Sequence, residues 1–118
     1  MDLMKILIVD DEPDILELMV EEFTYKGHNV FTAMSGNEAV RKIQENSFDA
    51  VVSDFKMPDG NGMVVLKFVN TLPNKPAFFF VSGQADVSVE DCLKAGAIAF
   101  FSKPFDLDEL VVEVEKKS

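Results

Sequence analysis

Two hydrophobic rhythms alternate along this chain. Short, near-continuous apolar runs are separated by longer stretches whose apolar residues recur every three or four positions. Leu3–Val9 is a run of the first kind, broken only by Lys5, as a strand buried on both faces of a sheet should read. Pro13 follows, a favoured residue in the first turn of a helix. Ile15, Leu16, Met19, Val20 and Phe23 then repeat at helical spacing, and Gly27 is placed to end that helix. Asn29–Ala33 is a short β-branched and aromatic run, read as a second strand. Ser35 with Glu38 three residues on forms a capping box before Ala39, Val40 and Ile43. The third strand is placed at Asp49–Ser53. Met57 to Gly62 is a cluster of turn formers, and the third helix carries Val65, Leu66 and Val69 inward until Pro73–Pro76 stops it. Ala77–Val81 reads as strand, Val87–Ala95 as helix and Ile98–Ser102 as strand. Asp106 caps a last helix with Leu107, Leu110, Val111 and Val114 on one stripe. Five strand–helix units of these lengths predict an α/β fold, a doubly wound parallel sheet with helices on both faces. At 118 residues, with no repeat, low-complexity tract or linker, one domain spanning 1–118 is expected.

The polar residues that end these runs then matter. Val9 leads into Asp10-Asp11, Ser53 into Asp54, Val81 into Ser82, and Ser102 into Lys103-Pro104. Parallel sheets bind ligands just beyond the carboxyl ends of their strands. Asp10, Asp11 and Asp54 on neighbouring strands would repel one another unless a cation joined them. Mg²⁺ is the natural partner, a hard ion held by a few carboxylates, water and phosphate. Asp54 reads either as a ligand or as a nucleophile towards phosphorus, giving an acyl phosphate. Mg²⁺ and Lys103 would neutralise the phosphoryl oxygens, and the Ser82 hydroxyl would hydrogen-bond one of them.

Charge and composition narrow the function further. A net charge of −10 disfavours nucleic-acid binding, which proceeds through lysine and arginine. No apolar stretch approaches the ~20 residues that a membrane helix needs, and no secretory signal opens the chain, so a cytoplasmic location is expected. Cys92, the single cysteine, sits at helical spacing with Val89 and Leu93 and reads as a small core residue. His28, the single histidine, follows Gly27 and reads as a surface-loop residue. Phe78-Phe79-Phe80 reads as a buried central strand and not as an aromatic ligand pocket. Val112 falls opposite the apolar stripe of the last helix.

Taken together, Asp10-Asp11-Glu12-Pro13, Asp54 before Met57-Pro58-Asp59-Gly60-Asn61-Gly62, Ser82-Gly83 and Lys103-Pro104-Phe105 resemble the receiver domain of two-component response regulators, over essentially the whole chain. The resemblance implies a flavodoxin-like sheet of order 2-1-3-4-5 with five helices. It implies that Asp54 takes a phosphoryl group from a histidine kinase or phosphotransfer protein. It implies that Mg²⁺ is held by Asp11 directly, Asp10 through water, Asp54, and the Lys56 backbone carbonyl. Lys103 would pair with the phosphate, Ser82 and Phe100 would form the switch, and the bond before Pro104 would be cis. Serine stands at Ser82 where threonine is commoner, and Phe100 lacks the hydroxyl of the frequent tyrosine.

The implied function is a signalling switch and not a conventional enzyme, catalysing only its own phosphoryl transfer and slow autodephosphorylation. Its output would pass through the surface of the fourth helix, fifth strand and fifth helix, where Val112 lies, to a downstream protein or an attached output domain. Lys56 and Gln84, each two residues past a site residue, are placed to tune phosphate lifetime. Dephosphorylation of Lys56→Ala and Gln84→Ala is expected to differ from wild type, and two unchanged rates would contradict this. The alternative is a receiver-like module that binds protein without phosphorylation. An aspartate-nucleophile Mg²⁺ phosphatase would show Asp-x-Asp after the first strand, where this chain has Asp10-Asp11. A flavodoxin would show a Ser/Thr/Gly phosphate loop there.

Overall fold

The structure, a computed structural model, describes residues 3–83 and 87–117. Five strands and five helices alternate: β1 Lys5–Val9, α1 Pro13–Tyr25, β2 Asn29–Ala33, α2 Gly36–Glu45, β3 Ala50–Ser53, α3 Gly62–Val69, β4 Ala77–Ser82, α4 Val89–Lys94, β5 Ala99–Ser102 and α5 Leu107–Glu115. All pairings are parallel, in the order β2-β1-β3-β4-β5. This is the expected doubly wound α/β sheet.

Because successive strand residues point to opposite faces, the apolar runs divide cleanly between two cores. Leu7, Val9, Val51, Phe78 and Phe80 pack with Ala39 and Ile43 of α2, Val65, Leu66 and Val69 of α3, and Cys92 of α4. Ile6, Ile8, Val52, Phe79 and Val81 pack on the other face with Met19 and Phe23 of α1 and Leu110, Val111 and Val114 of α5. The Phe78–Phe80 run is therefore the floor of both cores, as a central strand requires. Burial pushes the Cys92 thiol up, with help from the Asp91 charge, so it is a core group and not a reactive one.

The helix starts follow from local side-chain chemistry. Ser35, Asn61, Ser88 and Asp106 each accept a hydrogen bond from the backbone N–H three residues on. Glu38 closes its box one residue further back than expected, accepting from Met34 N–H at 2.8 Å. The Ser88 cap also starts α4 two residues later than the apolar pattern predicts, with Val87 ahead of it.

Two sequence-based expectations are corrected. Leu3 lies outside β1 and is exposed, so its apolar character does not mark the strand. His28 is not a surface-loop residue: it is 4% exposed. Its Nδ1 accepts from Met4 N–H at 3.0 Å, and its Nε2 lies 2.8 Å from Glu115 Oε2. The ring thus ties the chain entering β1 to the last turn of α5. Val112 is half exposed on α5, as its position opposite the apolar stripe predicts.

Candidate functional site

Register decides what meets at the carboxyl edge of the sheet. Val9 pairs with Ser53, so the next residues, Asp10 and Asp54, leave β1 and β3 side by side. Asp54 N–H donates to Val9 O at 2.8 Å and fixes them there. On the other side Ser82 pairs with Ser102, and Lys103 N–H donates to Ser82 O at 2.9 Å. Lys103 thus starts from beside Ser82 and reaches back over the edge.

Its ammonium is shared by three carboxylates: Glu12 Oε1 at 3.1 Å, Asp10 Oδ2 at 3.2 Å and Asp54 Oδ2 at 3.2 Å. Asp10 is fully buried and also accepts from Glu12 N–H through Oδ1 at 2.8 Å. Asp54 is buried too, and its Oδ1 accepts from Phe55 N–H at 2.7 Å. Ser82 is buried at the end of β4. Phe100 is half-buried on β5, its ring centroid 6.0 Å from that of Phe80. The Lys103–Pro104 peptide is cis.

The electrostatics follow from burial and crowding. Burial pushes the Asp10 carboxyl above the usual aspartate range. The Glu12 N–H and the Lys103 charge oppose that rise, and the Asp54 charge adds to it. For Lys103, burial works against the charged form, but hydrogen bonding to Glu12 and the charges of Asp10 and Asp54 outweigh it. The ammonium is held protonated beyond the ordinary lysine range.

Ligand oxygens of Asp10, Glu12 and Asp54 lie within 4.8 Å of one another. Three carboxylates, of which Asp10 and Asp54 are buried and Glu12 is exposed, leave excess negative charge against one ammonium, and the donors are all hard oxygens. That set fits a Mg²⁺ ion. Glu12 is the member that sequence reasoning misses, because it stands in the Asp10-Asp11-Glu12-Pro13 motif with no role of its own. It is the N-cap residue of α1 without a side-chain cap bond, which leaves its carboxylate to Lys103. Its signal was its place as the third acidic residue in a row at a strand end. Asp11 is half-buried and is not among the three. Lys56 is exposed just past Asp54, and Gln84 lies outside the described residues. Among the described residues no helix is long and apolar enough to cross a membrane.

Beside the cluster, Ile15, Leu18 and Met19 of α1 face Pro104, Phe105 and Leu107 across an apolar groove of about 450 Å³ that Lys103 also lines.

Comparison with known proteins adds the context of relatives. The family described as "Response regulator receiver domain" matches residues 6–115. Sporulation initiation phosphotransferase F of Bacillus subtilis is 31% identical over 95% of this chain and 91% of its own length. The transcriptional regulatory protein PrrA of Mycobacterium tuberculosis is 35% identical over 94% of this chain, which spans only 48% of that relative. Among solved structures, the response regulator TrrA of Thermotoga maritima, in complex with Mg²⁺-BeF, superposes with a TM-score of 0.86 at 31% identity, covering 97% of this chain and 98% of that one. A CheY-like receiver domain protein from Methanospirillum hungatei superposes with a TM-score of 0.87, also at 31% identity, covering 98% of this chain and 94% of that one.

Proposed function

The chain belongs to the response regulator receiver domain family of two-component systems, and from that premise we propose that it is a switch driven by phosphorylation of Asp54. The observation that carries this reading is the shared ammonium. Lys103 sits 3.2 Å from Asp54 Oδ2 and is held there by Asp10 and Glu12. A group placed this way meets the charge of a phosphoryl group bonded to Asp54.

In the proposed reaction an Asp54 oxygen attacks phosphorus as the bond from phosphorus to the donor's histidine nitrogen breaks. The product is an acyl phosphate, and the electron pair of the broken bond stays with the imidazole. Mg²⁺, held by Asp10, Asp54, the Lys56 carbonyl and Asp11 or Glu12, would supply positive charge to the phosphoryl oxygens. Phe55 N–H steadies one Asp54 oxygen and leaves the other towards Lys103. Ser82 donates its hydroxyl to a phosphoryl oxygen once that group is present. Phe100 then moves inward beside Phe80, and the α4-β5-α5 surface changes for a partner protein or an output domain. The apolar groove between α1 and Phe105 gives the phosphodonor protein a place to dock next to Asp54. Exposed Lys56, with Gln84, tunes the lifetime of the acyl phosphate. The domain acts as a cytoplasmic signalling element spanning residues 1–118, without binding nucleic acid itself.

A phosphoryl mimic tests the switch apart from the chemistry. With Mg²⁺ and beryllium fluoride, amide NMR signals are expected to shift at Asp54, Ser82 and Lys103, and also at Phe100 and along α4. Shifts confined to the first three would contradict a switch. No shift at all would favour a module that works by contact alone.

A further inference from the structure

The loop leaving Asp54 is fixed at both ends, and its far end is held by residues that touch neither Asp54 nor Lys103. At the near end, Gly62 N–H donates to Phe55 O at 2.7 Å. At the far end, four hydrogen bonds join the loop to the amino terminus of α2. Gly36 N–H donates to Gly60 O at 2.8 Å, and Asn37 N–H to Asp59 O at 3.0 Å. Asn37 Nδ2 donates to Asp59 Oδ1 at 2.8 Å, and Ser35 Oγ to Asp59 Oδ2 at 3.4 Å. The two backbone bonds satisfy N–H groups that a helix start leaves without partners. Contact is close enough that a Cβ on Gly36 would lie 2.4 Å from Gly60 O. Asp59 itself has φ +54°, in the left-handed region that aspartate and asparagine enter more readily than other non-glycine residues.

We propose that Asn37 and Asp59 are positioning residues for the cation site. Their bridge holds the 54–59 segment, with the Lys56 carbonyl, in the arrangement that a divalent cation needs. The inference rests on the reading of Asp54 and Lys56 as cation ligands. Asn37 acts through Asp59 and the backbone, without contact to the carboxylate cluster. Loss of the bridge lets the segment between Asp59 and Asp54 relax, and the cation then has to restore its order on binding.

Calorimetric titration of the folded protein with MgCl₂ tests this. Asn37→Asp sets two carboxylates against each other and is expected to weaken Mg²⁺ binding about three- to tenfold, the range set by one lost hydrogen bond. Asn37→Asp combined with Asp59→Asn restores a donor–acceptor pair in reverse. It also suits both positions, since asparagine tolerates the left-handed region and an aspartate is favoured near a helix amino terminus. Recovery of affinity to within about twofold of wild type is expected, because one amide-to-carboxylate hydrogen bond replaces another of similar strength. Asn37→Ala removes the amide without adding charge, and a smaller loss in the same direction is expected should Asn37→Asp fail to fold. Wild-type affinity in the single variants, or no recovery in the double variant, would overturn the inference. A merely structural role would lower the unfolding midpoint and leave the affinity of the folded protein unchanged. Titration of Asp54→Asn separates the two levels. If Mg²⁺ binding to wild type does not depend on Asp54, the reading of the site fails and the inference with it; if it does, only the bridge is in question.

Discussion

Asp10→Asn is expected to unfold at a higher temperature than wild type in EDTA, and to gain far less from added Mg²⁺. Asp10 is fully buried, and burial is the main cause of its raised proton affinity. A carboxylate in that position costs the metal-free fold stability, even with Lys103 and the Glu12 N–H beside it. Asparagine removes the charge, keeps an acceptor for the Glu12 N–H, and leaves Lys103 to Glu12 and Asp54. Removing a poorly compensated buried charge stabilises by about 1–3 kcal/mol, or roughly 4–12 °C in a domain of this size. The sign with pH is fixed by the direction of the shift. A carboxyl whose folded pKa is raised contributes stability below its unfolded pKa, and that contribution is lost as pH rises through the folded value. Wild type without metal should therefore lose stability on this limb as pH rises above the ordinary aspartate range, and Asp10→Asn should lack the limb. In Mg²⁺ the order reverses, because the cation stabilises only a fold that binds it. Thermal melts in EDTA and in Mg²⁺ decide the matter; a variant less stable than wild type in EDTA would contradict it.

Gly62→Ala is expected to destabilise the domain by about 2–3 kcal/mol, at the upper end of overpacking effects, and to weaken Mg²⁺ binding together with stability. A Cβ at Gly62 would lie 2.4 Å from Asp54 O, 2.7 Å from Phe80 Cε1 and 3.1 Å from Phe55 Cα. Two of these neighbours are backbone and the third is a fully buried ring, so none can move aside cheaply. The strain falls on the chain leaving Asp54. Gly83 offers the control, since it also flanks a site residue, Ser82. Among the described residues its Cβ would meet the Lys103 side chain, at 3.6 Å, an ordinary contact. Gly83→Ala should stay within about 0.5 kcal/mol of wild type. Urea midpoints for the pair check this, and equal values would contradict it.

The sheet was legible in the sequence because parallel strands buried on both faces leave dense apolar runs, and four of the five runs here lead into a residue that carries chemistry. Strand register then needed only to be in phase for Asp10 and Asp54 to meet, as the Val9–Ser53 pairing makes them. What remained hidden was side-chain direction. Asp10, Asp11 and Glu12 are equivalent in sequence, and only the turn into α1 directs the first and third to Lys103. The burial of His28 is hidden for a related reason. A loop beside a glycine suggests exposure, whereas the ring's partners, Met4 and Glu115, lie 24 and 87 residues away along the chain. Leu3 shows the converse: an apolar residue at the end of a run is exposed where the chain has not yet joined the sheet. The bridge between Asn37 and Asp59 was invisible for the same reason, since turn formers announce a loop but not what holds it.

The most direct measurement is the intact mass of the protein after incubation with acetyl phosphate and Mg²⁺, beside Asp54→Asn. One added phosphoryl group on wild type, absent from the variant and absent in EDTA, is the predicted result. An adduct that persists in Asp54→Asn, or an unmodified wild type that also fails to bind beryllium fluoride, would contradict the assignment of Asp54 as the phosphoacceptor.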